Sequence, residues 1–242
     1  MRAIVVGLAV ISAFASAQDL DRTFYLTHTP TVQQFQEVAT VIRTIADIKQ
    51  VSADNDQKSV TVHTTPGQIA MAEWLFNELD SPAAQPSVPH EYRAAGSTDD
   101  VVRVFYITTA ATVQDFQEVS TLVRTISDAR RVFTFNERKA LVIRGTDAQI
   151  GLAEWLVKEL EPKSEPSNTE YTMPGGNDDV VRVLYLTHTG SVQNFQKATV
   201  QIREATKIQR VFTDNPLKAA AVRGTADQIS MADRLAQQLD KP

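Results

Sequence analysis

The sequence predicts an α+β protein made of three tandem β-α-β-β-α two-layer sandwiches, joined by Pro/Ser/Gly-rich linkers. Three observations carry this. One pattern is written three times, opening with RTFYLTHT at 22–29, RVFYITTA at 103–110 and RVLYLTHT at 182–189. Each copy closes on a helix with a complete start signal, in TPGQIAMAEWLFNELD from 65, TDAQIGLAEWLVKELE from 146 and TADQISMADRLAQQLD from 225. Between these blocks an amphipathic helix is followed by a hairpin. Self-similarity at a fixed period takes precedence over any local feature. Here Phe24, Phe105 and Leu184 correspond, 81 and 79 residues apart.

The elements follow in chain order. Met1-Arg2, an apolar run ending at Phe14 and the small residues Ala15-Ser16-Ala17 fit a secretory signal, with Gln18 as the first mature residue. That run is too short to span a bilayer, which takes about 20 residues. No transmembrane segment is expected in the mature chain. The first strand is expected at 24–27, rich in aromatic and branched residues. A helix then starts at Thr31, with Gln34 completing a capping box. Val32, Phe35, Val38, Ile42 and Ile45 share one face of it. A hairpin is expected over 49–53 and 59–64, turning at Asp54-Asn55-Asp56, with Asp214-Asn215-Pro216 at the same place in the third copy. The closing helix begins at Thr65, Thr146 or Thr225, each three residues ahead of a Gln, and Pro66 takes the favoured first position. Ile69, Ala72, Leu75 and Leu79 form its apolar stripe. The first strand is expected to pair with the third, leaving both helices on one face. A sandwich this small has a marginal core, so the units are expected to lean on one another or on copies of themselves.

The boundaries read as a signal segment at 1–17, units at 18–81, 98–161 and 177–242, and linkers at 82–97 and 162–176. The linkers share Glu91-Tyr92 and Glu170-Tyr171. Each Tyr lies 13 residues before Phe105 or Leu184, while its distance from the preceding helix varies. It therefore keeps register with the unit that follows, and it is expected to dock there. Asp99-Asp100 and Asp178-Asp179 read as solvated lead-in residues.

The element order, the opening FYLTHT and the closing VIRGT-x-x-QI-x-x-AEWL-x-x-EL resemble the short N-terminal domain of bacterial secretins. The resemblance covers all three units. It implies a KH-like, ring-building module of the periplasmic part of outer-membrane pores in type II and type III secretion and type IV pili. This chain departs from the family at Lys58, Lys139 and Lys218, where Asn is usual. No pore domain is expected after the third unit, so the resemblance implies an envelope interaction module rather than a channel.

Composition narrows the chemistry. The chain has 43% hydrophobic and 22% charged residues, ordinary globular values. It has no cysteine, which excludes disulfides, thiolate metal sites and a cysteine nucleophile. The net charge of −5 gives no support to general polyanion binding, and the Gly-x-x-Gly loop of an RNA-binding KH domain is absent, so no nucleic acid is expected. Neither His28, His63, His90 and His188 nor the Asp54 turn has metal-ligand spacing. No catalytic, metal or cofactor-binding residues are predicted.

Six residues are candidates for interaction. Arg144 and Arg223 stand before a Gly-Thr turn and suit acidic neighbours. Trp74 and Trp155 flank the helical stripe and become Arg234 in the third copy, which suits an edge rather than a deep core. Tyr92 and Tyr171 complete the set. The units carry 4 basic and 9 acidic, 8 and 10, then 9 and 7 charged residues, a gradient that suits head-to-tail association. The reading is a non-catalytic, exported module that is periplasmic, cell-envelope associated or secreted. It works by protein–protein interaction or self-association, as an accessory to a secretion or pilus system. The alternative is a periplasmic binding protein for a glycan, lipid or peptide, which calls for an aromatic-lined pocket.

Overall fold

A computed structural model describes residues 19–28, 31–81, 90–97, 99–161, 169–176 and 178–241. The expected signal segment lies outside them. The first unit contains β1 (Leu20–Tyr25), α1 (Val32–Ile45), β2 (Gln50–Asp54), β3 (Ser59–Thr64) and α2 (Pro66–Leu79). Its sheet is antiparallel in the order β1-β3-β2. β1 starts four residues earlier than expected, because β3 offers its whole length as a partner, from Leu20↔Thr64 to Tyr25↔Ser59. The boxes at Thr31, Thr146 and Thr225 form as the spacing requires, whereas at Thr65 the hydroxyl donates to the Gln68 side chain at 3.0 Å and the box stays open. Thr31 accepts from the Gln34 amide, and the Gln34 side chain accepts from the Thr31 amide, both at 3.2 Å. At the start of α2, Gln68 also donates to the carbonyls of Ala46 and Asp47, at 3.2 and 2.9 Å. The capping glutamine therefore ties one helix start to the end of the other, where carbonyls lack intrahelical partners.

The second unit contains β4 (His90–Arg93), β5 (Val101–Tyr106), α3 (Val113–Ser127), β6 (Arg131–Phe135), a 3-10 turn, β7 (Ala140–Gly145) and α4 (Asp147–Glu159). The third contains β8 (Glu170–Thr172), β9 (Val180–Tyr185), α5 (Val192–Thr206), β10 (Arg210–Asp214), β11 (Ala219–Gly224) and α6 (Ala226–Leu239). Their sheets have four strands, in the orders β4-β5-β7-β6 and β8-β9-β11-β10. The fourth strand comes from the segments read as linkers. Glu91 pairs with Arg103 and Tyr92 with Val102. Glu170 pairs with Arg182 and Tyr171 with Val181. Strands of three or four residues leave no periodicity to detect, and their hydrogen bonds are supplied entirely by a neighbouring edge. This pairing explains why the Tyr keeps register with the unit after it.

The units stack. The helices of the first two units lie between their own sheet and the sheet of the next, with α1 against β6 and α3 against β10. Val102, Val104, Phe135, Ala140 and Val142 of the second sheet share one core with Val41, Ile42 and Leu75 of the first unit. Val181, Val183, Ala219 and Ala221 join the core of the second unit in the same way. The layers therefore run sheet, helices, sheet, helices, sheet, helices. Burial on both faces is why β5 reads VVRVFY with no alternation.

The two ends are written differently. Where β5, β6 and β7 turn Val102, Val104, Phe133 and Val142 toward the previous unit, the first sheet has Asp21, Thr23, Ser52 and Thr61. Where α1 and α3 turn Val41, Ile45, Leu122 and Ile126 toward the next sheet, all fully buried, α5 has the exposed Gln201 and Ala205. The end faces are thus less apolar than the junction faces, as in capping repeats, although Tyr25 and Met231 stay exposed where Tyr106 and Leu152 are covered.

A smaller sign of the cap lies after each first helix. Asp47, Asp128 and Lys207 all adopt φ near +58°. The two aspartates reach forward to the next unit, pairing with Arg131 at 2.8 Å and Arg210 at 3.1 Å. Among the described residues no sheet packs against the α5 end beside Lys207. Lys207→Gly is expected to relieve the left-handed strain and stabilise the protein by about 0.5–1 kcal/mol. Asp128→Gly, which also loses its ion pair, is expected to gain less. Thermal unfolding of the two variants side by side checks the difference.

Candidate functional site

The chain concentrates its polar and aromatic chemistry at the two junctions between units, which repeat the same construction. Arg144 ends β7 and grips Asp100 through Nε at 2.7 Å and Nη2 at 2.5 Å. Its third arm donates to the Ile45 carbonyl of the preceding unit at 2.8 Å. Arg223 repeats this with Asp179 at 2.8 and 2.6 Å and the Ile126 carbonyl at 2.9 Å. The carbonyls belong to the last turn of α1 and α3, where backbone acceptors need partners. Hydrogen bonding to the guanidinium holds both aspartates below the usual carboxylate range.

The acidic pairs are therefore not the solvated lead-in expected from sequence. Asp100 and Asp179 orient the junction arginines. Asp99 and Asp178 accept from the first amides of α4 and α6, both at 2.8 Å, where the helix dipole favours a negative charge. In the first unit His63 replaces the arginine, and it bonds Asp21 at 2.8 Å.

Trp74 on α2 packs against Tyr92 on β4, and Trp155 on α4 against Tyr171 on β8, each with ring centroids 5.7 Å apart. The tyrosine backbone thus belongs to the following sheet while its ring rests on the last helix of the preceding unit. The residue strides the junction, which accounts for both its fixed register and its company with Trp. Around these anchors Tyr106 donates to Glu78 at 2.7 Å, and His90 pairs with the same carboxylate at 2.6 Å. Glu37 accepts from the Asn136 amide at 3.3 Å, and Glu118 from the amide and side chain of Asn215, both at 3.1 Å.

All six candidates thus lie at the junctions, Trp74, Tyr92 and Arg144 at the first, Trp155, Tyr171 and Arg223 at the second. Sequence reading missed Asp100 and Asp179, Glu78, and the forward-reaching Asp47 and Asp128. A signal was present. Asp100 and Asp179 sit at the same place before their strands and both lie 44 residues before the arginine they hold.

A further charged group sits inside each four-stranded unit. Arg103 is held between Glu91 of β4 and Glu154 of α4, and Arg182 between Glu170 of β8 and Asp233 of α6. Their counterpart Arg22 has one partner here, Glu73 at 3.2 Å.

Asp214 works against the second junction. It is 2% exposed at the end of β10, where Phe135 stands in the unit before. Burial pushes its carboxyl up to about 6; nearby Glu118 and Asp115 add to this, and the Leu217 amide opposes it. The native state thus holds a proton that the unfolded chain, with an ordinary Asp pKa of about 3.9, has released. Stability is expected to fall as pH rises through the window from about 4 to 6, by about 2–3 kcal/mol. Asp214→Asn keeps an acceptor for the Leu217 amide and should abolish that slope. Urea unfolding at pH 4, 5, 6 and 7 reads it directly.

Among the described residues no group of three or more His, Cys, Asp or Glu is placed to hold a metal ion. A depression of about 290 Å³ beside His188, Asn194, Lys197 and Gln201 has no Phe, Tyr or Trp in its wall. His28 and His188 sit in the loop after the first strand, where their amides donate to Asp80 and Asp240 at 2.9 and 2.7 Å. Among the described residues no helix is long and apolar enough to cross a membrane.

No family model matches the chain, and no curated protein does. Solved structures are similar. ExeD of Aeromonas hydrophila is 13% identical with a TM-score of 0.22, over 93% of this chain and 41% of that one. XcpQN012 is 15% identical with a TM-score of 0.31, over 93% of this chain and 100% of that one. The secretin GspD of E. coli K12 is 13% identical with a TM-score of 0.23, over 93% and 39%. The chain thus spans about two fifths of the length of ExeD and GspD. At these TM-scores, function has to be argued from the chain's own surfaces.

Proposed function

We propose that the chain is an exported, non-catalytic assembly module of the cell envelope. Three secretin N-domain-like units, with the boundaries 18–81, 98–161 and 177–242 and a signal segment at 1–17, act as one strut. The observation that carries this is the repeated junction. Apolar faces, an Arg–Asp pair reaching a helix end and a Trp–Tyr contact join each unit to the next, so three surfaces are held in one line rather than hung as beads. The titratable groups brought together at the junctions partner one another in structural roles, which supports a binding rather than a catalytic task. The signal-like start supports an envelope or periplasmic site. The resemblance of the unit motifs to secretin N-domains supports an accessory role beside a secretion or pilus apparatus.

Val113 and Val200 lie on the flanks, and Tyr25 on the outer face of the first sheet, where partners or further copies can be met. A photo-crosslinking amino acid placed in the cell at Val113, Val200 or Tyr25, all well exposed, tests the reading. Adducts that depend on position and fractionate with the envelope are expected. A chain that fractionates freely and forms no adduct at any of the three would overturn it.

A further inference from the structure

We propose that the outer edge of β1 accepts an extended strand from a partner protein, and that this strand places a carboxylate opposite Arg22. The inference rests on the assembly-module reading and names the chemistry of one partner.

The same edge is filled twice within the molecule. In the second unit β4 lies along β5, and in the third β8 lies along β9. Both added strands carry Glu-Tyr, and both set the Glu against the strand's arginine, Glu91↔Arg103 and Glu170↔Arg182. Among the described residues nothing pairs with the corresponding edge of β1. An unpaired edge presents a row of backbone donors and acceptors ready for another strand.

The side chains record the difference. Arg103 and Arg182 are clamped between a helix carboxylate and a strand carboxylate, and their side chains are 15% and 13% exposed. Arg22 keeps the helix half of this clamp in Glu73 and is 53% exposed. Leu20 is 51% exposed, whereas its counterparts Val101 and Val180 are buried. An incoming strand with an acid opposite Arg22 would complete the clamp, and its residue two positions further on would cover Leu20, as Arg93 lies opposite Val101.

A second copy fits this edge less well. Twofold antiparallel pairing sets residues of the same sheet face opposite each other. Centred on Arg22 or on Asp21, it places like charges together, which destabilises a pair of strands. Centred on Thr23, it faces Arg22 with Phe24 and supplies no carboxylate.

The test uses a labelled peptide of residues 88–96, VPHEYRAAG, as a stand-in for the partner strand, added to the exported chain. Saturable binding is expected with a Kd on the order of 0.1–1 mM, because the tether that concentrates β4 in the native chain is absent. Amide shifts should fall on β1 and not on β5. Arg22→Glu should weaken binding at least about tenfold, and a peptide carrying Glu91→Lys should recover it on that variant. The swap also shows that Arg22→Glu has folded. No saturable binding, equal affinity for Arg22→Glu, or shifts on β5 instead of β1 would overturn the proposal. So would self-association of the chain that Arg22→Glu abolishes, which would assign the edge to a second copy. Cross-links at Val113 or Val200 in the face of a failed peptide experiment would remove the edge proposal and leave the assembly reading standing.

Discussion

Val41→Gln combined with Ile45→Ala, which copies the outward residues of the last unit onto the first, is expected to split the unfolding of the chain into two transitions. Both side chains are fully buried where α1 meets the second sheet. Truncating a buried isoleucine costs about 2–5 kcal/mol, and burying an amide without partners costs about 1–3 kcal/mol more. The unit itself should survive, because Gln201 and Ala205 occupy these positions in the third unit and leave its fold unchanged. The loss therefore falls on the coupling between units. Calorimetry should show the first unit melting ahead of the other two, with hydrogen exchange accelerated in β1–β3 first. A single transition with a small shift would mean that the units do not depend on the junction. The reverse change, Gln201→Val with Ala205→Ile, would expose an apolar face at the end of the stack and should promote association.

Arg144→Ala is expected to cost about 2–3 kcal/mol at neutral pH. It removes both hydrogen bonds to Asp100 and leaves the Ile45 carbonyl without a partner inside the first junction. Taking one member from a partly buried ion pair costs more than taking it from an exposed pair, since Asp100 stays partly desolvated. Acid should reveal the mechanism. The guanidinium lowers the native pKa of Asp100, so the native state releases its proton more readily than the unfolded chain does. That contribution is fully present above the ordinary Asp pKa of about 3.9 and is lost as pH falls through the lower native value. The gap between the parent and Arg144→Ala should therefore be wide at pH 7 and narrow toward pH 2. Urea midpoints across that range measure it. A constant gap would show that Arg144 acts through packing alone. The slope is opposite in sign to that of Asp214, whose raised pKa weakens the fold as pH rises, so the two variants separate the acidic limb from the window above pH 4.

Local chemistry was legible, and of the distant contacts only the pairing of the first strand with the third and the link of Tyr92 and Tyr171 to the following unit were. Thr31 with Gln34, Thr65 with Gln68 and the alternating hairpin residues interact within a few positions of one another, so their pattern alone specifies helix starts, strands and turns. The internal repeat multiplied that signal by three. β4 was hidden because four residues of edge strand carry no period of their own, and the surrounding Pro, Ser, Gly and Ala read as linker. The partnership of Asp100 with Arg144 was hidden because its members lie 44 residues apart and meet only when β7 closes against β5.

Order and type of element, the caps and the tripled unit follow from short-range preferences that every residue expresses wherever its unit happens to lie. Stacking is another matter. Val41 and Leu122 are apolar in the same way as Val38 and Val119, and nothing local separates a side chain that faces its own sheet from one that faces the next. That distinction arises from how much apolar surface each layer must remove from water once the layers meet. It is the meeting of layers that turned two apparent linkers into edge strands, drew Trp74, Tyr92 and Arg144 into a junction, and left Arg22 holding half of a clamp that its two counterparts complete.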